Sequence, residues 1–210
     1  MLLTCAILLT IRVEFEVNME AIEVLGHIKG PIGVVSVAGM YRTGKSYLLN
    51  RVLLNRQSGF GVGPSIHPCT KGIHIWGTPV SGFTASGEPV NVLVVDSEGL
   101  GGLDEDNNHD MRIFSLALLI SSFFIYNSMG QIDEAAISSL SLVVNLTKHI
   151  QLNVLKDMNG QEEEEMSSAE TGLETVLPNF LWVVRDFSLQ LEDEQGNEIS
   201  SREYLENALS

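Results

Sequence analysis

The sequence predicts an α/β fold: a mainly parallel sheet with one antiparallel strand and helices on both faces. Three observations predict it. Short, nearly continuous apolar runs at 32–39 (IGVVSVAG), 90–99 (VNVLVVDSEG), 123–127 (FFIYN) and 180–186 (FLWVVRD) suit strands buried on both faces. Segments with helical spacing stand between them, which is the alternation expected of a parallel sheet. Hydrophobic residues make up 44% of 210, enough for a real core in one large domain and too many for a disordered chain.

Taken in order, the first eleven residues, MLLTCAILLTI, are apolar but too short to span a bilayer. They have no basic residue before them. The alternation in RVEFEV makes the stretch 1–17 an apolar segment leading into an edge strand, and a signal peptide stays open as the other reading. A helix is expected over 18–30, with Asn18 as its N-cap and Gly30-Pro31 as its stop. The strand 32–39 follows, then GMYRTGKS, then a helix over 45–55. Residues 57–72 form a long Gly/Pro/Ser-rich loop, of the length that is usually functional. IHIWGTPV (73–80) and VNVLVVDSEG (90–99) are expected to pair as a hairpin. A flexible loop (99–110), a buried helix, the strand FFIYN, a long amphipathic helix (132–156), an acidic loop (157–174) and the buried strand at 180–186 complete the pattern. A last helix starts at Ser200 or Ser201, with Glu203 in its first turn.

Composition excludes several functions. Twenty-seven acidic against 12 basic residues leave a net charge of −15, which argues against non-specific nucleic-acid binding. Cys5 and Cys69 are too few for a disulfide framework or a zinc site, and the five histidines show no metal-binding spacing. Trp76 and Trp182 are expected in the core. The run EEEE at 162–165 is a solvated charge cluster, and the Asn145-Leu-Thr147 sequon falls inside a predicted helix.

The chemistry concentrates in residues 39–46. Gly39, Gly44, Lys45 and Ser46 match G-x-x-x-x-G-K-[ST], with a strand before and a helix after. Glycines let main-chain N–H groups turn around phosphate oxygens, and the helix start favours the same anion. Lys45 is placed to reach the β and γ phosphates, and the Ser46 hydroxyl to bind Mg²⁺. This is the context of a P-loop NTPase. Asp96 ends an apolar strand and Gly99 follows it, an arrangement suited to the second shell of Mg²⁺ and to a γ-phosphate. Thr70 offers a hydroxyl that can complete the ion's shell; from spacing alone an ordinary loop threonine is an equally good reading. Guanine presents two adjacent N–H donors that one carboxylate accepts, and Asp186 at a strand end supplies such a group in place of the absent N-K-x-D. Arg42, inside the loop, is by itself most simply a solvated residue.

Five segments in order, GMYRTGKSYLLNR, PCTKGIHIW, DSEGLG, SSFFIYNSMGQIDEAAISSLSLV and RDF, resemble the guanylate-binding protein family of dynamin-related large GTPases, over about residues 18–210. The resemblance implies GTP binding and Mg²⁺-dependent hydrolysis. Nucleotide contacts fall to Gly39, Tyr41, Arg42, Thr43, Gly44, Lys45, Ser46, Tyr47, Asp96, Gly99, Arg185 and Asp186. Ser46 and Thr70 would hold the metal, Arg42, Thr70 and Glu98 would serve catalysis, and Arg42 would be an internal arginine finger turned inward when two G domains pair around GTP. The sequence departs from the family in two places. Pro68 stands where a proton-relaying serine is expected, and the guanine cap, the last strand and helix of the G domain and the helical domain are expected after Ser210, so the C-terminal part of the G domain is expected to be missing. The expected location is cytoplasmic, with membrane attachment only through regions outside this chain. Two other readings stand beside the GTPase: a nucleotide-responsive binding module with little or no hydrolysis, and an ATPase.

Overall fold

The computed structural model describes residues 4–11, 14–63, 69–101, 107–134, 136–138, 140–141 and 178–209. Strands β1 (Thr4–Ile11), β2 (Glu14–Val17), β3 (Ile32–Ala38), β4 (Ile73–Trp76), β5 (Val80–Phe83), β6 (Pro89–Ser97), β7 (Phe123–Met129) and β8 (Asn179–Arg185) form one sheet. Its order is β2-β1-β4-β6-β3-β7-β8, with β5 paired to β6. The part β6-β3-β7-β8 is parallel, which confirms the expected architecture. The strands β4, β1, β2 and β5 join it through antiparallel pairings.

The apolar runs are continuous because both faces are covered. Ala38, Val95, Phe124 and Tyr126 point to the face occupied by α1 (Met19–Gly26) and α3 (Asn107–Leu119). There Phe114 is fully buried and packs its ring 5.3 Å from Phe124 and 5.8 Å from Tyr126. Val37, Val94 and Ile125 point to the opposite face, against Leu49, Phe60 and Trp76. Burying side chains of this size stabilises the fold by roughly 1.5–3 kcal/mol each. Ser36 is the polar exception in β3. It is fully buried, and its hydroxyl donates to the Ala117 carbonyl at 3.0 Å, tying β3 to α3.

Several elements differ from their sequence-based outlines. Helix α1 begins on its expected cap, where Asn18 Oδ1 accepts from Glu20 N–H at 2.9 Å, but ends at Gly26, before the Gly-Pro stop. Helix α2 is α-helical only over Lys45–Leu48 and continues as a π-helical turn, Leu49–Leu53. The stretch 73–80 is not one strand. It breaks at 77–79, so that β4 pairs with Val95–Ser97 and β5 with Pro89–Val92 along the same edge of β6. β8 is not a strand buried on both faces. It ends the sheet order among the described residues, with Phe180 41% and Leu181 44% exposed, while Trp182 Nε1 donates to Ser128 Oγ at 2.8 Å. The last helix, α4 (Ser201–Leu209), carries the expected capping box: Glu203 N–H donates to Ser200 Oγ at 3.2 Å, and Ser200 N–H to Glu203 Oε2 at 2.7 Å. The helix expected over 132–156 falls mostly outside the described residues; the acidic loop, the sequon and Pro68 fall wholly outside them.

The π-helical turn places Asn50 in the interior, where its amide binds both ends of one residue. Nδ2 donates to the Phe60 carbonyl at 3.0 Å and Oδ1 accepts from Phe60 N–H at 2.8 Å. Phe60 is thereby fixed against Trp76, 5.8 Å between ring centroids, and the chain leaves it toward Gly61–Gly63. Asn50→Ala strands two buried main-chain groups. It is expected to lower stability by about 2–3 kcal/mol, read from urea unfolding midpoints.

Candidate functional site

The segment between β3 and α2 wraps around an open cleft. Tyr41, Arg42, Gly44, Lys45, Ser46 and Tyr47 line one side. Gly61, Val62, Gly63, Cys69 and Thr70 line the facing loop, and Ser97 and Gly99 the floor. Glycine is required at two of the turns. A Cβ on Gly39 (φ +147°) would lie 2.0 Å from the Asn127 carbonyl oxygen, and one on Gly99 would lie 2.5 Å from Tyr41 Cα. Gly99 lies against the loop because the chain beyond it pairs there: Tyr41 N–H donates to the Leu100 carbonyl at 2.8 Å and Leu100 N–H to the Gly39 carbonyl at 3.1 Å. Arg42 takes the left-handed conformation, φ 61°, which costs a non-glycine residue roughly 1–2 kcal/mol. Its guanidinium lies 5.9 Å from the centre of the Tyr41 ring.

Behind the loop sit charged groups with little access to water. Lys45 is buried and donates from Nζ to the Met40 carbonyl at 3.1 Å. Burial lowers its pKa, against the opposing pull of Asp96, Glu98 and Asp110. Asp96 is fully buried at the end of β6. Its Oδ2 accepts from Ser46 Oγ at 2.7 Å and from Thr70 Oγ1 at 2.8 Å, while Oδ1 has no partner. Burial raises its pKa, and the Ser46 bond, the Lys45 charge and the Thr70 bond only oppose this. Glu98 is also buried. Its Oε2 accepts from Gly72 N–H at 2.7 Å and faces His109 Nε2 at 3.2 Å, and the His109 ring stacks on Phe15 at 5.4 Å.

The structure therefore brings Tyr41, Arg42, Gly44, Lys45, Ser46, Tyr47, Thr70 and Gly99 to one cleft, with Thr43, Asp96 and Glu98 directly behind them. Arg185 reaches the same loop from the end of β8, with Nη1 3.4 Å from the Gly44 carbonyl oxygen and the guanidinium 5.8 Å from the centre of the Tyr47 ring. Asp186 follows it, exposed and at φ 53°, and is not among the residues lining the cleft. Sequence reasoning missed His109 and Asn127. Neither belongs to a motif, and both act through contacts far along the chain.

Two hydroxyls 3.5 Å apart that share one carboxylate, whose second oxygen is buried and unpartnered, form a donor set of hard oxygens. It fits Mg²⁺, which prefers oxygen ligands and keeps several of its waters. Among the described residues no cluster of three or more His, Cys, Asp or Glu offers a transition-metal site.

The family model "Guanylate-binding protein, N-terminal domain" matches residues 12–210. The chain belongs to the guanylate-binding protein family. It is 42% identical over 195 residues to guanylate-binding protein 1 of Chlorocebus aethiops, covering 92% of this chain and 31% of that protein. It is 42% identical over 198 residues to guanylate-binding protein 3 of Mus musculus, covering 93% and 30%. Against guanylate-binding protein 5 of Homo sapiens it is 40% identical over 198 residues, covering 93% and 32%. The chain thus spans about a third of the length of the curated relatives it matches.

A buried carboxylate with an unpartnered oxygen makes stability depend on pH in a defined direction. The folded-state pKa of Asp96 lies above its ordinary 3.8, so the folded protein holds that proton more tightly than the unfolded chain does. Its stabilising contribution is complete below 3.8 and is lost as pH rises through the folded value. In nucleotide-free protein, urea midpoints of Asp96→Asn and wild type, taken across pH, are expected to diverge in favour of the asparagine over that interval, by up to about 1.4 kcal/mol per pH unit. A difference independent of pH would show that Asp96 does not titrate there.

Proposed function

We propose that this chain is the nucleotide-binding part of a Mg²⁺-dependent GTPase that hydrolyses GTP to GDP and phosphate, carries Arg42 as its own arginine finger, and pairs with a second copy across the nucleotide face. The observation that carries the reading is the junction of Ser46, Thr70 and Asp96 beside the buried Lys45, at the start of α2. Such a junction costs stability in an empty protein, and a triphosphate tail with its ion offsets that cost.

In this reading the loop amides and the Lys45 ammonium bind the β and γ phosphates. Ser46 and Thr70 would hold Mg²⁺, which would supply positive charge to the polyphosphate. Water attacks the γ-phosphorus as the bond to the β–γ bridging oxygen breaks. Negative charge accumulates on that leaving oxygen, and the Arg42 guanidinium neutralises it. Glu98, held between Gly72 N–H and His109, belongs to the network that orients the water. Asp186 accepts the N1–H and N2–H of guanine, which adenine cannot present together.

Pairing is supported by the cleft's rim. Arg42 is exposed, so its side chain has to be turned inward, and Tyr47 and Val62, which also line the cleft, are 45% and 60% exposed. The same parking of Arg42 over Tyr41 favours the second reading, a binding module that holds GTP and hydrolyses it poorly. No helix among the described residues is long and apolar enough to cross a membrane.

Phosphate release measured against protein concentration separates the two readings. Specific activity that rises with concentration supports the pairing enzyme, and flat, near-zero activity with retained GTP-analogue binding supports the module. Arg42→Ala is expected to leave GTP-analogue affinity within a few fold and to slow turnover about 10³-fold or more. Unchanged turnover would remove the finger.

A further inference from the structure

Two carbonyls of the phosphate loop are held from behind. The Thr43 carbonyl oxygen accepts from Asn127 Nδ2 at 3.0 Å, and Arg185 Nη1 lies 3.5 Å from that oxygen and 3.4 Å from the Gly44 carbonyl oxygen. A trans peptide is planar, with its C=O and the following N–H pointing in opposite directions. Drawing the Thr43 carbonyl toward β7 therefore turns the Gly44 N–H away from β7. The Gly44 carbonyl, which Arg185 faces, is held by the Leu48 N–H at 2.9 Å in the first turn of the helix. Gly44 and Lys45 both line the cleft.

Asn127 is an expensive choice at its position. It is fully buried in β7, its Oδ1 has no partner, and the Nδ2 bond to Thr43 spans 84 residues. A half-satisfied amide in a core is worse for stability than an apolar side chain of the same size. The same residue's main-chain oxygen abuts Gly39 so closely that a Cβ there would fall 2.0 Å away, so β7 braces the loop at Gly39 as well as at Thr43.

We infer that Asn127 is a positioning residue for recognition of the second phosphate of a nucleotide: by fixing the Thr43 carbonyl it aims the Gly44 N–H into the cleft. The inference rests on the guanine-nucleotide reading above. Loop amides and lysine serve the phosphates beyond the first. Loss of the brace therefore weakens a nucleoside diphosphate much more than a monophosphate.

The test titrates the full chain with GMP and with GDP plus Mg²⁺, in wild type and in Asn127→Leu, which keeps the branched shape, in a somewhat larger side chain, without the donor. Asn127→Ala is the second variant in case leucine does not fit beside Thr43. Protein labelled with ¹⁵N-glycine gives the Gly44 amide resonance directly. The expected result is a loss of about tenfold or more in GDP affinity, a change in GMP affinity under about threefold, and a Gly44 amide that no longer moves on GDP addition, with the nucleotide-free melting temperature of Asn127→Leu equal to or above wild type. GDP affinity within about threefold of wild type, or equal losses for GMP and GDP, overturns the inference. Wild-type protein that binds neither nucleotide overturns the GTPase reading and takes this one with it.

Discussion

The direction of a few peptide groups governs this molecule. For a main-chain loop to hold an anion, successive N–H groups must face one hollow, and their carbonyls must then find partners elsewhere. The Met40 carbonyl finds its partners within the loop, Thr43 Oγ1 and Lys45 Nζ, while the others come from distant parts of the chain: the Leu100 N–H for the Gly39 carbonyl, Asn127 and Arg185 for Thr43. The sheet order β6-β3-β7-β8 makes this possible. It sets the end of β3 between the ends of β6 and β7, with β8 one strand further out, so residues at or just beyond the ends of all three strands reach the same turn.

Burial sets the electrostatics behind that turn. Lys45 and Asp96 are held in a region where each carries a desolvation cost and their mutual attraction returns only part of it, with Glu98 buried beside them. Two hydroxyls spend both their donors on a single carboxylate oxygen and leave the other bare. A protein with a net charge of −15 gathers arginines 42, 51 and 185 around this place, each within 6 Å of a tyrosine ring. In the proposed reading, stability is traded locally for a site that takes up negative charge and a metal ion.

The parts of this arrangement that repeat a local pattern were legible in the sequence. The strand, loop and helix around Gly39–Ser46, the Asp96 strand end and the Ser200–Glu203 box each depend on neighbouring residues, and each stands where the pattern places it. Asn127 and His109 were not legible, because their roles are created by partners 84 and 11 residues away and neither residue type signals a function in a strand or a helix start. The split of 73–83 into β4 and β5 was missed because period-two alternation does not show that two short strands can share one edge of β6. The exposed side of β8 was missed because an apolar run looks the same whether one face or two are covered.

The π-helical turn after Leu48 has a further consequence. It stores one surplus residue inside a helix that begins at the cleft, so the azimuth of everything beyond it is set independently of the end that lines the cleft. The first half of the helix is dictated by chemistry, and the second is free to rotate until Asn50 meets Phe60 and Leu49 meets the sheet. The surplus residue thus lets the second half pack on the core without displacing the residues that line the cleft.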